Sequence, residues 1–147
     1  MRNVVVTGGS RGLGVAISTN LAGAGYCAIA VARKESRELT AAIAACSRAE
    51  MNSLQFLPFD FEDIDAVPHF VASLRKSFGA IYGLVNNAAR GDDGALSLMQ
   101  RARIVRRSAL RRLPAIDDVA AAVEFLLGAR SASITGTVLT VDAGSTA

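Results

Sequence analysis

Apolar residues fall along this chain in two rhythms. Short continuous runs rich in branched side chains alternate with stretches in which apolar positions recur every three or four residues. The first run, Asn3–Thr7 (NVVVT), ends in glycines and predicts a buried strand. Gly12–Ala24 then carries Leu13, Ala16, Ile17 and Leu21 at helical spacing, with Gly25 as the stop. Cys27–Ala32 predicts a second buried strand and Ser36–Ala49 an alanine-rich helix with Leu39, Ile43 and Cys46 on one face. Leu54–Phe59 predicts a third strand, and Pro58 near its end suggests an edge position. Glu62–Phe78 places Ile64, Val67, Phe70, Val71, Leu74 and Phe78 on one stripe, with Pro68 in the first turns. Ile81–Val85 is a fourth strand. Helices are predicted over Leu96–Leu113 and Asp117–Leu127, divided by Pro114, and a last strand over Thr137–Val141. Strands alternating with helices imply an α/β fold, a parallel sheet with helices on both faces.

A chain of 147 residues suits a single domain, 1–147. No apolar run reaches the roughly 18 residues of a membrane span. The opening MRNVVVTGG enters a strand at once, without the apolar region and cleavage site of a secretory signal. Cys27 and Cys46 lack CxxC spacing and read as small buried hydrophobes, so a reducing, cytoplasmic location is expected. Net charge is +3, yet Gln100–Arg112 alone holds six arginines and no acid, so the remainder is net acidic. That basic segment has no interleaved aromatics and no nucleic-acid motif, so neither nucleic acid nor membrane is expected as a partner. No His, Cys and Asp grouping has metal-ligand spacing, and the single histidine, His69, reads as a surface residue.

The strand-to-helix junction TGGSRGLG, Thr7–Gly14, is the strongest chemical signal. Glycine lets the backbone turn sharply and approach a phosphate, and the helix start adds unpaired amides and the positive end of its dipole. Spacing alone is weak, but its place at the first strand-to-helix turn of an alternating pattern strengthens it. The sequence here resembles the short-chain dehydrogenase/reductase family, and within it most the 3-oxoacyl-(acyl carrier protein) reductases. TGGSRGLG matches the family's TGxxxGxG turn, and FDFED places Asp60 at its adenine-contacting acid. LVNNAA, Leu84–Ala89, resembles its NNAG motif with alanine in the last place, and DDVAAAVEFLLG…ASITGTVLTVDAG resembles its last helix and strand. The resemblance implies a Rossmann-like, doubly wound sheet and cofactor contacts from Gly8, Ser10, Arg11, Gly12, Leu13, Gly14, Arg33, Asp60, Phe61, Asn86 and Ala88. Arg11 and Arg33, with no acid at Ala32, Arg33 or Lys34, favour NADP(H) over NAD(H). Two solvated surface arginines are the alternative.

The family reduces carbonyls with a Tyr-xxx-Lys pair, a serine and an asparagine. Tyr26 is followed four residues on by Ala30 and Tyr82 by Asn86, and Lys34 and Lys76 are the only lysines, so no catalytic residue is assigned. An interior of roughly 60 to 100 residues is missing relative to the family, at about 30 residues per βαβ unit, with the junction near Met99 and Gln100. Either the polypeptide is short or the sequence joins two pieces of a longer one. The resemblance therefore implies an oxidoreductase fold acting on a small-molecule or carrier-protein-bound 3-oxoacyl substrate if intact, and a non-catalytic nucleotide-binding module if not. It places the arginine helix near the substrate entrance, as a solvated face compatible with an acidic carrier protein. The expected sheet has five strands in the order 3-2-1-4-5, the last covering the fourth through a right-handed crossover. A homodimer through Asp117–Leu127 and Thr137–Val141 is expected, or a tetramer where the interior is present.

Overall fold

The computed structural model describes residues 1–49, 53–88 and 97–146, in two compact units, Met1–Ala88 and Ala89–Ala147. The first unit runs β1 (Arg2–Thr7), α1 (Leu13–Gly23), β2 (Tyr26–Ala32), α2 (Arg37–Arg48), β3 (Leu54–Pro58), α3 (Val67–Phe78) and β4 (Ile81–Val85). Its four strands pair in parallel in the order β3-β2-β1-β4. β3 is an edge strand, where a proline with no amide to donate is tolerated. Val5, Ile29 and Val31 form one core cluster with Leu74 of α3, flanked by Phe70, Phe78 and Phe59. The alternate residues Val4, Val6, Ala28 and Ala30 are completely buried and face the other way by the period of the pleat. On that side small alanines admit close backbone approach: a Cβ added at Gly9 would lie 2.7 Å from that of Ala30. Buried Ile17 and Leu21 of α1 complete this layer, so helices lie on both faces of the sheet.

Three expectations are corrected. Among the described residues the sheet has four strands, not five, and Thr137–Val141 forms no strand. Its β-branched residues suit a pleated surface, but a strand exists only through a ladder. Val138 is 89% exposed and Leu139 51%, while β4 pairs with β1 alone among the described residues. The helix expected over Glu62–Phe78 starts at Val67. The Asp60 side chain accepts from the Glu62 amide at 3.0 Å and that of Asp63 from the Ala66 amide at 3.1 Å, and these turns compete with helix. The helix expected over Leu96–Leu113 is α4, Leu98–Arg107; Leu96 itself lies outside the described residues.

In the second unit α4 opens on a capping box in which Ser97 and Gln100 exchange side-chain and backbone hydrogen bonds at 3.2 and 2.8 Å. Met99 and Gln100 thus sit in its first turn. It stops because Ser108 turns into a long-range pairing. The Ser108 hydroxyl donates to the Ala143 carbonyl at 2.5 Å, and the amides of Ala109 and Leu110 donate to the carbonyls of Gly144 and Ala143, both at 3.1 Å. Arg112 and Asp118 form an ion pair at 2.8 Å at the start of α5 (Ile116–Leu127), and a single 3-10 turn, Ala129–Ser131, follows.

Candidate functional site

All four strands of the first unit point the same way, so their carboxyl ends share one edge: Thr7 pairs with Val31, Val31 with Leu57, and Val6 with Val85. β1 sits where the chain, having laid β2 and β3 on one side, returns to lay β4 on the other. A parallel sheet opens a crevice at such a reversal. The sequence-predicted residues all follow these strand ends. Gly8, Ser10, Arg11, Gly12, Leu13 and Gly14 follow β1; Arg33 follows β2; Asp60 and Phe61 follow β3; Asn86 and Ala88 follow β4. Ala89 lies outside the described residues.

The turn after β1 is built by its glycines. Gly8 and Gly12 have φ of +65° and +53°, where other residues are strained. A Cβ on Gly14 would lie 2.2 Å from the Gly8 carbonyl oxygen, and one on Gly8 would lie 2.9 Å from the Ala88 Cα. These two glycines are required by the approach of α1 to the turn and of the turn to the chain after β4. Gly12 differs: a Cβ there meets nothing within 4 Å, so the turn is open on that side. It caps α1 with no side-chain acceptor of its own.

Two residues outside the sequence-predicted set hold this arrangement together. Thr7 Oγ1 accepts from the amides of Asn87 and Ala88 at 3.0 and 2.9 Å and donates to the Val85 carbonyl at 3.3 Å. The Asn87 side-chain amide donates to the carbonyls of Thr7 and Gly8 at 3.0 and 3.3 Å. Of the asparagine pair, therefore, Asn87 locks the loop to the glycine turn. Asn86 instead lines a groove of about 480 Å³ beside Phe61, Thr7, Val5, Phe70 and Leu84. The signal available in sequence was the doubled asparagine, which does not say which member faces inward.

The second helix reaches the turn as well. Ser36, the N-cap of α2, accepts from the Leu39 amide at 3.1 Å and donates to the Ser10 carbonyl. The Glu38 carboxylate accepts from the Gly12 amide at 3.1 Å. Arg11, between Ser10 and Gly12 in the chain, and Arg33, three residues before Ser36, are both exposed. Asp60 is exposed, with one carboxylate oxygen engaged by the Glu62 amide. Phe61 stacks edge-on against Phe59, ring centroids 5.1 Å apart. His69 is exposed on α3. Among the described residues no three His, Cys, Asp or Glu side chains gather as a metal site. Nor is any helix among them long and apolar enough to cross a membrane.

Comparison with known proteins agrees with this geometry. The family model for short chain dehydrogenases matches residues 2–142. The chain is 34% identical over 89 residues to the agropine synthesis reductase of Rhizobium rhizogenes, covering 60% of this chain and 20% of that protein. It is 39% identical over 89 residues to a short chain dehydrogenase of Aspergillus terreus, covering 59% and 19%. The chain thus spans about a fifth of the length of these curated relatives. In fold it is similar to a short chain dehydrogenase from Bacillus anthracis, with a TM-score of 0.81 and 16% identity over 99% of this chain and 97% of that one. A short-chain dehydrogenase/reductase structure from Sinorhizobium meliloti aligns with a TM-score of 0.52 and 30% identity, over 71% of this chain and 47% of that one.

Proposed function

Because the chain belongs to the short-chain dehydrogenase family, we propose that its Met1–Ala88 unit holds the adenine and pyrophosphate end of NADP(H). The observation that carries this reading is the turn Gly8–Gly14. It lies between β1 and α1 at the crevice of the sheet, with Gly8 and Gly14 closely packed and nothing within 4 Å of a Cβ on Gly12. The amides at the start of α1 and the positive end of its dipole suit a pyrophosphate. Ser10, Leu13, Asp60, Phe61, Asn86 and Ala88 border the same strand ends and would frame the adenine and its ribose. Arg11 and Arg33 would meet a 2′-phosphate, each charge-assisted contact worth about 1.5–3 kcal/mol. Titration with NADPH and NADH tests this. The unmutated chain is expected to prefer NADPH, and Arg33→Asp to weaken NADPH and help NADH. Equal affinity of the unmutated protein for both removes the basis for the assignment.

When bound, such a cofactor supplies hydride to a carbonyl carbon. The reaction we associate with the fold is carbonyl reduction, with a 3-oxoacyl thioester, free or on an acidic carrier protein, as the substrate class. These 147 residues carry no Tyr-xxx-Lys pair, so the chain alone is proposed to be a nucleotide-binding module without reductase turnover. General acid catalysis contributes about 10²–10⁴-fold and positioning more, so loss of both leaves no measurable rate. The assay is NADPH oxidation with an acetoacetyl thioester, on material of confirmed 15.3 kDa mass. Turnover near that of ordinary reductases would sink the non-catalytic reading. A heavier species would mean that an interior is present.

A further inference from the structure

The sequence places no acid at the end of β2, where a ribose-binding carboxylate is expected in an NAD enzyme. The fold supplies one from elsewhere. Glu38 lies in the first turn of α2, at the positive end of that helix, and its carboxylate accepts the Gly12 amide at the start of α1. It is held there from two directions. Ser36, two residues before it, ties α2 to the Ser10 carbonyl of the same turn, and Gly12 itself presents the amide. One negative charge thus bridges two helix starts, in the turn that also carries Arg11. Resting on the nucleotide reading above, we infer that Glu38 is a specificity-determining residue that sets how much a 2′-phosphate gains over a 2′-hydroxyl.

The reasoning is electrostatic. A 2′-phosphate drawn toward Arg11 and Arg33 brings its charge toward the Glu38 carboxylate, and like charges at this range repel through a partly screened medium. A ribose 2′-hydroxyl carries no such charge and can donate to a carboxylate. Glu38 therefore offsets part of the arginines' preference; its bond to the Gly12 amide is common to both ligands, so the 2′ substituent alone separates them. Neutralising it should raise affinity for a 2′-phosphorylated ligand selectively.

The test uses the full chain with two ligands that lack the nicotinamide, 2′,5′-ADP and 5′-ADP, and compares the unmutated protein with Glu38→Gln and Glu38→Ala by calorimetric titration. Both variants are first matched to the parent by circular dichroism and thermal melting. Glu38→Gln is expected to bind 2′,5′-ADP about tenfold tighter, with 5′-ADP changed less than threefold. Glu38→Ala should move the ratio of the two affinities in the same direction. Binding of both ligands with an unchanged ratio overturns this inference and leaves the nucleotide reading standing. A parallel shift for both ligands means that Glu38 only shapes the turn, and overturns it too. Absence of binding of both ligands in all three proteins overturns the nucleotide reading and this inference with it.

Discussion

Thr7 ends β1 with one hydroxyl in three hydrogen bonds, accepting from Asn87 and Ala88 and donating to Val85. Replacing it with valine keeps the shape but takes the acceptor from the Ala88 amide, beside a 6% exposed side chain, while the Asn87 amide keeps the Val85 carbonyl at 3.1 Å. Unsatisfied donors in such a setting cost about 1–3 kcal/mol. Thr7→Val should lower unfolding stability by that amount in urea titration, and Thr7→Ser should recover most of it. Equal losses for the two would show that the methyl, not the hydroxyl, matters. Asp142 plays a comparable part in the second unit. Its carboxylate accepts from the Thr146 hydroxyl at 2.6 Å, the Gly144 amide at 2.8 Å, the Ser145 hydroxyl at 3.0 Å and the Thr146 amide at 2.9 Å. These bonds, that of the Thr146 side chain foremost, hold its pKa down to about 2 from the ordinary 3.8. A group depressed on folding stabilises the turn fully above its ordinary value, and that contribution is lost as pH falls through the folded value. The amide signals of Gly144 and Thr146 should therefore titrate with a midpoint near 2 rather than near 3.8. A midpoint at the ordinary value would mean that the turn does not hold its carboxylate.

At the scale of the element, α1 carries two glycines with opposite roles. Gly14 packs so closely on the turn that a methyl would meet the Gly8 oxygen at 2.2 Å, whereas one on Gly23 meets nothing within 4 Å. Gly14→Ala should cost about 1–3 kcal/mol or more, since backbone must move. Gly23→Ala should add about 0.4–1 kcal/mol by restricting the unfolded chain. Thermal melts of the two variants check the pair; a stabilised Gly14→Ala would contradict the close approach. The same contrast explains what was readable in sequence. β1 and β2 announce themselves because local composition decides them: aliphatic runs, fully buried at Val4, Val6, Ile29 and Val31. Glu62–Ala66 misleads because Ile64 continues the helical stripe, yet it is 75% exposed and the Asp60 and Asp63 side chains take the local amides. Ser108–Leu113 also keeps a helical pattern, but its end is fixed by carbonyls at Ala143 and Gly144, far along the chain. In the candidate site, the glycines were legible because positive φ and close approach demand them. Thr7, Asn87 and Glu38 act through partners that no local pattern specifies.

Association belongs to the whole molecule. The second unit exposes large apolar side chains on α5 and beyond it: Ile116 at 50%, Phe125 at 40%, Leu126 at 42%, Val138 at 89% and Leu139 at 51%. Single exposed apolar residues are ordinary on a protein surface, but several in one compact unit mark surfaces that associate. Thr137–Val141 adds a segment with strand-like composition and no ladder of its own. Backbone amides and carbonyls left without a ladder can pair with another chain. We therefore predict a homodimer formed through Asp117–Leu127 and Thr137–Val141. Light scattering at micromolar concentration should give twice the 15.3 kDa of the chain. Phe125→Glu with Val138→Glu should return it to the monomer while leaving the far-ultraviolet circular dichroism unchanged. A tetramer would point to further contact surfaces. A monomer that stays monomeric across the concentration range would mean that these apolar residues face solvent without a partner copy.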